Sequence, residues 1–301
     1  MPIHLPPLSR RQFLIRSAAF IGSLAVAPHL VASDGRDPHH WALMADTHIA
    51  ADRKKIARGI NLASHFQSVC NEILERKESI SGVLINGDCA YGRGTPGDYR
   101  TFNSLIKPLR NANLPLHCTL GNHDHRDNFL AASIAEKSTA GAVFQKQISI
   151  IETPYANWFL LDSLDKTNST PGLFGDEQRK WLARELDARP RKPAIVVAHH
   201  QLDTTLPGAL MDTNETFEVL RPRKQVAAYI CGHRHIWNIK TDASGIHLIN
   251  LPSAAYVFDP ANPIGWVEAH LRKDAIQLQL HCLDRTHKEH GKKIELKWRN
   301  A

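Results

Sequence analysis

Five short polar blocks, each directly behind an apolar run, constrain this 301-residue chain more than any other feature of its sequence. The apolar runs have the length and composition of buried strands. In an open α/β sheet the carboxyl ends of parallel strands share one edge, so blocks that are distant in sequence would meet there. The blocks are Asp46-Thr47-His48, Gly87-Asp88, Gly121-Asn122-His123-Asp124, His199-His200 and Gly232-His233-Arg234-His235.

The first half of the chain alternates between strand and helix patterns. Apolar runs predict strands at Trp41–Ala45, Gly82–Asn86 and Pro115–Leu120. Apolar residues at helical spacing predict helices over Lys54–Arg76 and Tyr99–Leu109. This order predicts a βαβαβ unit and therefore a largely parallel sheet.

The second half predicts further strands and one more helix. The strands are expected at Val143–Ile151, Trp158–Asp162, Ala194–Ala198, Ala227–Cys231, Ile246–Leu251, Gly265–Leu271, Ile276–Cys282 and Ile294–Trp298, and the helix at Asp176–Leu186. No Pro/Gly/Ser-rich linker separates two domains. We therefore expect one α/β domain with a second, more antiparallel sheet.

The N-terminal segment resembles a twin-arginine export signal. Arg10 and Arg11 precede an apolar stretch, Ala18–Ala27, which is too short to span a bilayer as a stable helix. Small residues at Val31–Ser33 fit a cleavage site, so we expect a signal over residues 1–33 and a folded domain over 34–301. The implied partner is the twin-arginine machinery, and the implied location is periplasmic or extracellular. The alternative is an uncleaved anchor or an amphipathic surface helix.

The net charge of the chain says little about its binding partners. Residues 1–33 contain three arginines and no acid, so the formal charge falls from +7 to +4 without them. That small excess, without interleaved basic and aromatic residues, gives no strong nucleic-acid signal. An anionic small molecule such as a phosphate ester fits the weak basic bias better.

The residue types in the blocks indicate a metal site. Carboxylate, imidazole and amide oxygen suit divalent and trivalent metals of borderline or hard character, and no thiolate is needed. A bridging carboxylate can hold two cations about 3.5–4 Å apart, which is the geometry for in-line displacement at phosphorus. Such a pair lowers the pKa of a bound water toward neutrality and supplies hydroxide as the nucleophile.

The order D-x-H, G-D, G-N-H-D, H and G-H-x-H resembles the calcineurin-like metallophosphoesterase family, and the resemblance spans Asp46 to His235. It implies a four-layer α-β-β-α sandwich, with two central mixed sheets and a dinuclear site at the strand carboxyl ends. The implied activity is hydrolysis of phosphate esters, with diesters slightly favoured over monoesters. The metals would be two ions of Mn, Fe or Zn.

The resemblance also implies a role for each block. The first metal would be held by Asp46, His48, Asp88 and His235. The second would be held by Asp88, Asn122, His199 and His233, with Asp88 bridging. His123 would protonate the leaving oxygen or stabilise its charge. Asp124 would orient His123 through a ring nitrogen.

Some assignments and functions stay open at this point. His200 competes with His199 as the ligand, and Tyr91 matches the tyrosine that binds ferric iron in purple acid phosphatases. Those enzymes have glycine where this chain has His48, so the first metal does not need Tyr91. A thiolate from Cys89 is a weaker alternative. The competing functions are a nuclease and a metal-binding scaffold without activity.

Overall fold

Two six-stranded mixed sheets form the centre of the computed structural model, which describes residues 36–132, 134 and 143–299. The strands are β1 (His40–Ala45), β2 (Ile56–Ala57), β3 (Ile60–Asn61), β4 (Gly82–Asn86), β5 (Leu116–Thr119), β6 (Ser149–Glu152), β7 (Asn157–Leu160), β8 (Ala194–Val197), β9 (Val226–Cys231), β10 (Asn238–Thr241), β11 (His247–Asn250), β12 (Gly265–Leu271), β13 (Ala275–Cys282) and β14 (Lys293–Lys297). The helices are α1 (Leu62–Leu74), α2 (Pro96–Asn111), α3 (Arg126–Ala131), α4 (Asp176–Asp187) and α5 (Thr213–Leu220). The predicted signal, residues 1–33, lies outside the described residues.

The first sheet has the order β14-β13-β12-β1-β4-β5. Strands β1, β4 and β5 are parallel, and helices α1 and α2 lie between them in sequence, which confirms the predicted βαβαβ unit. The expectation that the late antiparallel strands build a second sheet is wrong. Strands β12, β13 and β14 pair antiparallel with one another and with β1, so they extend the first sheet instead.

The second sheet has the order β10-β11-β9-β8-β7-β6. Its four central strands are parallel, and the strands at its two edges are antiparallel. Both sheets are therefore mixed, as predicted. The parallel strands β7, β8 and β9 end at one edge of this sheet, where the blocks at His199 and His233 begin.

Helix α1 is shorter than its sequence pattern predicts. The pattern predicts a helix over Lys54–Arg76, but strands β2 and β3 form a hairpin in its first third. Arg58 and Gly59 take positive φ angles of 49° and 78° in that turn, which a helix does not accept. Asn61 then caps the helix, since its side chain accepts a hydrogen bond from the amide of Ser64. Among the described residues, no helix combines the length and the apolar character needed to cross a membrane.

Three apolar clusters fill the spaces between four layers. Alternation along β1 directs Ala42 and Met44 toward α1 and α2, and Trp41 and Leu43 toward the second sheet. The middle cluster lies between the two sheets. The third joins the outer face of the second sheet to α4 and α5, with Trp181 among its buried side chains. This arrangement confirms the α-β-β-α sandwich and brings the strand ends of both sheets to one site.

Candidate metal centre

Five of the seven predicted ligands have a left-handed backbone. Non-glycine residues rarely adopt positive φ, since the side chain then crowds the neighbouring carbonyl. Strain of this kind clusters at functional sites, where the surrounding structure holds it in place. The five residues and their φ angles are Asp46 (55°), His48 (47°), Asp88 (47°), His233 (70°) and His235 (53°).

The first group of side chains consists of Asp46, His48 and His235, whose ligand atoms lie within 4.8 Å of one another. Asp46 Oδ1 lies 3.3 Å from His235 Nε2 and 4.0 Å from His48 Nε2. Asp88 Oδ2 is 3.7 Å from His48 Nε2. His235 Nδ1 donates to the carbonyl of Tyr256 at 2.6 Å, so the lone pair of Nε2 faces the group.

The second group consists of Asp88, His199 and His233, again within 4.8 Å. Asp88 Oδ2 lies 3.3 Å from His199 Nε2. His199 Nδ1 donates to the carbonyl of Asn86 at 3.0 Å, which orients the ring with Nε2 inward. Asp88 Oδ2 therefore lies between the two groups, 3.7 Å from His48 Nε2 in the first and 3.3 Å from His199 Nε2 in the second.

The donor atoms fit a pair of metal ions. Asn122 Oδ1 is buried and has no hydrogen-bond partner among the described residues, and His199 Nε2 is buried with the Asp88 carboxylate 3.3 Å away but poorly aligned for a hydrogen bond. Leaving such atoms unpaired costs free energy unless another partner satisfies them. A metal ion is such a partner for an amide oxygen and an imidazole nitrogen. The donor set contains oxygen and nitrogen only, so it matches the predicted dinuclear centre.

The buried histidines differ in how their surroundings shift their pKa values. Burial lowers the pKa of His48 to about 3 and that of His233 to about 4, because a charged imidazole is poorly solvated there. Burial also opposes protonation of His199, but the carboxylates of Asp88 and Asp46 outweigh it and raise its pKa to about 10. Without metal, His199 thus supplies a positive charge between two buried carboxylates, and a cation would take over that task.

His123 lies at the edge of this centre and is partly exposed. Its backbone amide donates to Asp88 Oδ1 at 2.8 Å, which fixes the loop against the shared carboxylate. Its ring lies 5.2 Å from the ring of His48, measured between centroids. His123 Nδ1 donates to the carbonyl of Gly92 at 2.8 Å, so this carbonyl orients the ring. A nitrogen of this ring also lies within 4.8 Å of the ligand atoms of His48 and Asp88.

Asp124 does not orient His123, and that prediction is wrong. Its carboxylate is fully buried. It accepts hydrogen bonds from the amides of Gly121, Cys89 and Ala90, at 2.9, 3.2 and 3.1 Å. The hydroxyl of Tyr99 donates to it as well, at 3.1 Å. Burial raises the pKa of Asp124 to about 6, and the charge of Asp88 adds to this effect.

The alternative ligands take other positions. His200 belongs to neither group: its Nδ1 lies 2.8 Å from the hydroxyl of Ser163, and its ring packs 4.7 Å from that of His233. Cys89 belongs to neither group. Contact with Cys118, together with burial, raises the pKa of the Cys89 thiol well above its usual value. The ring of Tyr91 stands edge-on to His48, at 6.4 Å between centroids.

Two glycines before the ligands are required by close packing. A Cβ atom on Gly121 would lie 2.2 Å from Asp88 Oδ1. A Cβ atom on Gly232 would lie 2.7 Å from Asp46 Oδ2. Both distances are shorter than real Cβ contacts, so any larger residue would displace a carboxylate. These glycines therefore allow the backbone to approach the two carboxylates closely.

Sequence reasoning missed the aromatic side chains beside the first group. The ring of Tyr256 stacks against His48 at 5.1 Å and lies 4.7 Å from His235. The ring of Phe258 lies 4.7 Å from His235 as well. They follow the segment at Pro252, far from the polar blocks in sequence. No periodic pattern marks that loop, so the sequence offered no signal for their position.

The comparisons with known proteins agree with this geometry. The model of the calcineurin-like phosphoesterase family matches residues 40–237, and the chain belongs to that family. A dimetal phosphatase from Danio rerio shares the fold with a TM-score of 0.68 and 16% identity, covering 87% of this chain and 100% of that one. The chain is thus a metal-dependent phosphoesterase, as predicted.

Several curated relatives match most of the chain. A 3′,5′-cyclic-nucleotide phosphodiesterase of Nostoc is 24% identical over 73% of this chain and 80% of its own length. A 3′,5′-cyclic adenosine monophosphate phosphodiesterase of Haemophilus influenzae is 26% identical over 77% and 85%. A probable glycerophosphodiester phosphodiesterase of Arcobacter nitrofigilis is 25% identical over 72% and 84%.

Proposed function

We propose that this protein hydrolyses small phosphodiesters, with 3′,5′-cyclic nucleotides as the favoured class and monoesters second. The observation that carries the proposal is the pair of ligand groups around Asp88, with the partly exposed ring of His123 at their edge. The names of the relatives support the diester preference, because each of the three acts on a phosphodiester.

The ligands are assigned from the two groups. The first cation would be held by Asp46, His48, Asp88 and His235. The second would be held by Asp88, Asn122, His199 and His233. Manganese, iron and zinc all suit this set of donors, so the centre would take two ions of these metals.

The chain's own residues supply the remaining chemistry. Bound cations would neutralise charge on the phosphate oxygens and lower the pKa of a water molecule toward neutrality. His123 would donate a proton from Nε2 to the leaving oxygen, while the carbonyl of Gly92 holds Nδ1 in its protonated form. Asp124 would act at a distance, by fixing the loops that present Asp88 and His123.

We further propose that the protein acts outside the cytoplasm. Arg10 and Arg11 with the apolar stretch behind them support export by the twin-arginine route. Folded export would allow the metal centre to fill before transport. Substitution of both arginines by lysine should retain the precursor in the cytoplasmic fraction. If the substituted precursor still reached the periplasm at the wild-type level, the export proposal would be wrong.

The nuclease and scaffold alternatives make different predictions. A nuclease would need a positive surface along a nucleic-acid strand, whereas the charge beyond residue 33 is only +4. A scaffold would bind metal without turnover. The fold alone does not distinguish an enzyme from a scaffold. GAP50, an anchor in the inner membrane complex of Plasmodium, shares this fold with a TM-score of 0.57 and 13% identity, covering 86% of this chain and 88% of that one.

One assay panel tests the proposed function. The protein without residues 1–33 is incubated with bis-p-nitrophenyl phosphate, p-nitrophenyl phosphate, adenosine 3′,5′-cyclic phosphate and single-stranded DNA. Each reaction is run with added manganese, zinc or iron. We expect faster hydrolysis of the two diesters than of the monoester or DNA. DNA cleavage as the fastest reaction would support a nuclease, and metal binding without any turnover would support a scaffold.

A further inference from the structure

A group of aromatic side chains borders the first ligand group, and we refer to Tyr256 and Phe258 with Arg58 as the aromatic rim. The ring of Tyr256 packs on His48 and His235, and Phe258 meets Tyr256 edge-on at 5.7 Å. The rim thus begins at the ligands and extends outward. A substrate whose phosphate lies at the two groups would place its organic part within reach of these rings.

Arg58 completes the rim from a different part of the chain. It lies in the β2–β3 turn, where its φ of 49° holds the backbone in a left-handed conformation. Its guanidinium carbon lies 4.6 Å from the centroid of Phe258 and 5.7 Å from that of Tyr256. Within the described ranges, no carboxylate forms an ion pair with Arg58. Its planar cation is therefore held by aromatic faces rather than by an acid.

The outer part of the rim is open to solvent. Phe258 is 55% exposed, whereas Tyr256 and Tyr91, the other aromatic residues beside the ligands, are half-buried. Tyr256 has a structural task, because its carbonyl binds His235 and its ring covers His48. Phe258 contributes no hydrogen bond to the centre. Because its ring is exposed, it buries little apolar area and contributes little to the stability of the fold. An exposed apolar ring beside a reactive site is typical of a ligand contact.

We propose that Phe258 and Arg58 hold the nucleobase of a cyclic nucleotide by stacking, while its phosphate lies at the ligand groups. This rests on the proposed function and names the part of the substrate that is recognised outside the metal centre. Flat π faces and a planar guanidinium favour another flat ring, and they accept any base because every base has such a face. A glycerol group has no flat face, so stacking on these side chains would add little to its binding affinity.

The decisive comparison is between two substrates that differ only in the base. Adenosine 3′,5′-cyclic phosphate is compared with the same cyclic ribose phosphate without a base. For Phe258→Ala we expect kcat/KM to fall about tenfold for the nucleotide, in keeping with the loss of one stacked base, and to stay within about twofold for the base-free compound. An equal loss for both compounds, or no loss for the nucleotide, would overturn the proposal.

A matched control uses an aromatic residue at the opposite end of the second sheet. Tyr155 lies in the β6–β7 turn, is 39% exposed and stacks on His39. Tyr155→Ala removes a comparable exposed ring and should leave both substrates at the wild-type rate. A selective loss for the nucleotide in Tyr155→Ala would show that the effect does not come from the rim.

Arg58→Lys separates stacking from simple attraction of the phosphate. Lysine retains the charge but lacks the planar face. A stacking role therefore predicts that kcat/KM falls for the nucleotide and not for the base-free compound. If Arg58→Lys kept the wild-type kcat/KM while Arg58→Ala lowered kcat/KM equally for both substrates, Arg58 would act through its charge alone. The proposal would then be wrong for this residue.

Calorimetric titration of adenosine 3′,5′-cyclic phosphate into the metal-loaded His123→Ala protein measures the same contact without turnover. We expect Phe258→Ala in that background to weaken binding about tenfold. Unchanged binding would overturn the stacking contact. If the wild-type protein hydrolyses neither cyclic compound, the proposed function fails, and this titration still decides whether a base binds at the rim.

Discussion

Asp124→Asn tests whether the second carboxylate of the site acts on the fold or on the reaction. Each oxygen of Asp124 accepts two hydrogen bonds in the structure. Oδ1 accepts from the amide of Ala90 and the hydroxyl of Tyr99, and Oδ2 accepts from the amides of Cys89 and Gly121. Asparagine retains one acceptor oxygen and turns the other position into a donor. Whichever way the amide points, two of the four donors lose their partner.

The cost of that loss follows from ordinary hydrogen-bond energies. A hydrogen bond to a charged group contributes about 1.5–3 kcal/mol, so two lost bonds cost about 3–6 kcal/mol. Removal of a buried charge offsets part of this, since burial raises the pKa of Asp124 to about 6. We therefore expect the free energy of unfolding to fall by about 3 kcal/mol, a large part of the 5–15 kcal/mol typical of a domain.

The assay is urea unfolding of the metal-loaded protein, with Asp127→Asn as the control. Asp127 is the exposed acid in the first turn of α3, and its substitution should leave the unfolding midpoint within experimental error. Activity of Asp124→Asn should fall only as far as the folded fraction and metal content fall. Wild-type stability together with a rate reduced a hundredfold or more would refute this reasoning and assign Asp124 a direct part in the chemistry.

Four further predictions concern the centre and its surroundings. His123→Ala should lower kcat about 10²–10⁴-fold while two metals stay bound, as measured by metal analysis beside the rate; loss of a metal would make His123 a ligand. Gly121→Ala should lower metal content, because its Cβ would meet Asp88 Oδ1 at 2.2 Å; full metal content would contradict the packing argument. Chelation should lower the melting temperature, because metal that binds the folded chain and not the unfolded chain stabilises the fold, and an unchanged value would argue against bound metal. Hydrogen bonds from His281 and His40 hold the pKa of Glu268 well below its usual range, so its contribution to stability is complete above about pH 5 and declines as pH falls below about 4. Glu268→Gln should therefore be about 1–3 kcal/mol less stable at pH 7, and this difference should shrink progressively as the pH falls below about 4; a difference that stayed constant from pH 7 to pH 2 would contradict this assignment.

The polar blocks were predictable because they depend on where strands end. Strand β4 ends at Asn86 and β9 at Cys231, and the topology of parallel sheets then places the following residues at a common edge. Their positive φ angles were not predictable, since the sequence gives no reason for Asp46 or His233 to adopt them. Tertiary contacts hold these angles, including the amide of His233 that donates to Asp46.

The errors came from contacts between loops. Asp124 follows His123 directly, so orientation of one by the other was a natural expectation. In the structure Asp124 accepts hydrogen bonds from the backbone of Cys89 and Ala90, while His123 Nδ1 donates to the carbonyl of Gly92. The rim was not predictable for the same reason, because Arg58 and Phe258 meet only after two unrelated loops have folded.

Phosphodiester hydrolysis by this protein should depend on two metal ions at one buried centre. The most direct measurement titrates manganese into chelated protein while bound metal and hydrolysis of bis-p-nitrophenyl phosphate are followed in the same sample. We expect the rate to reach its plateau at two ions per chain, and Asp88→Asn to lose both metal sites and the rate together. A full rate with one ion or none, or no turnover with two ions bound, would contradict the account.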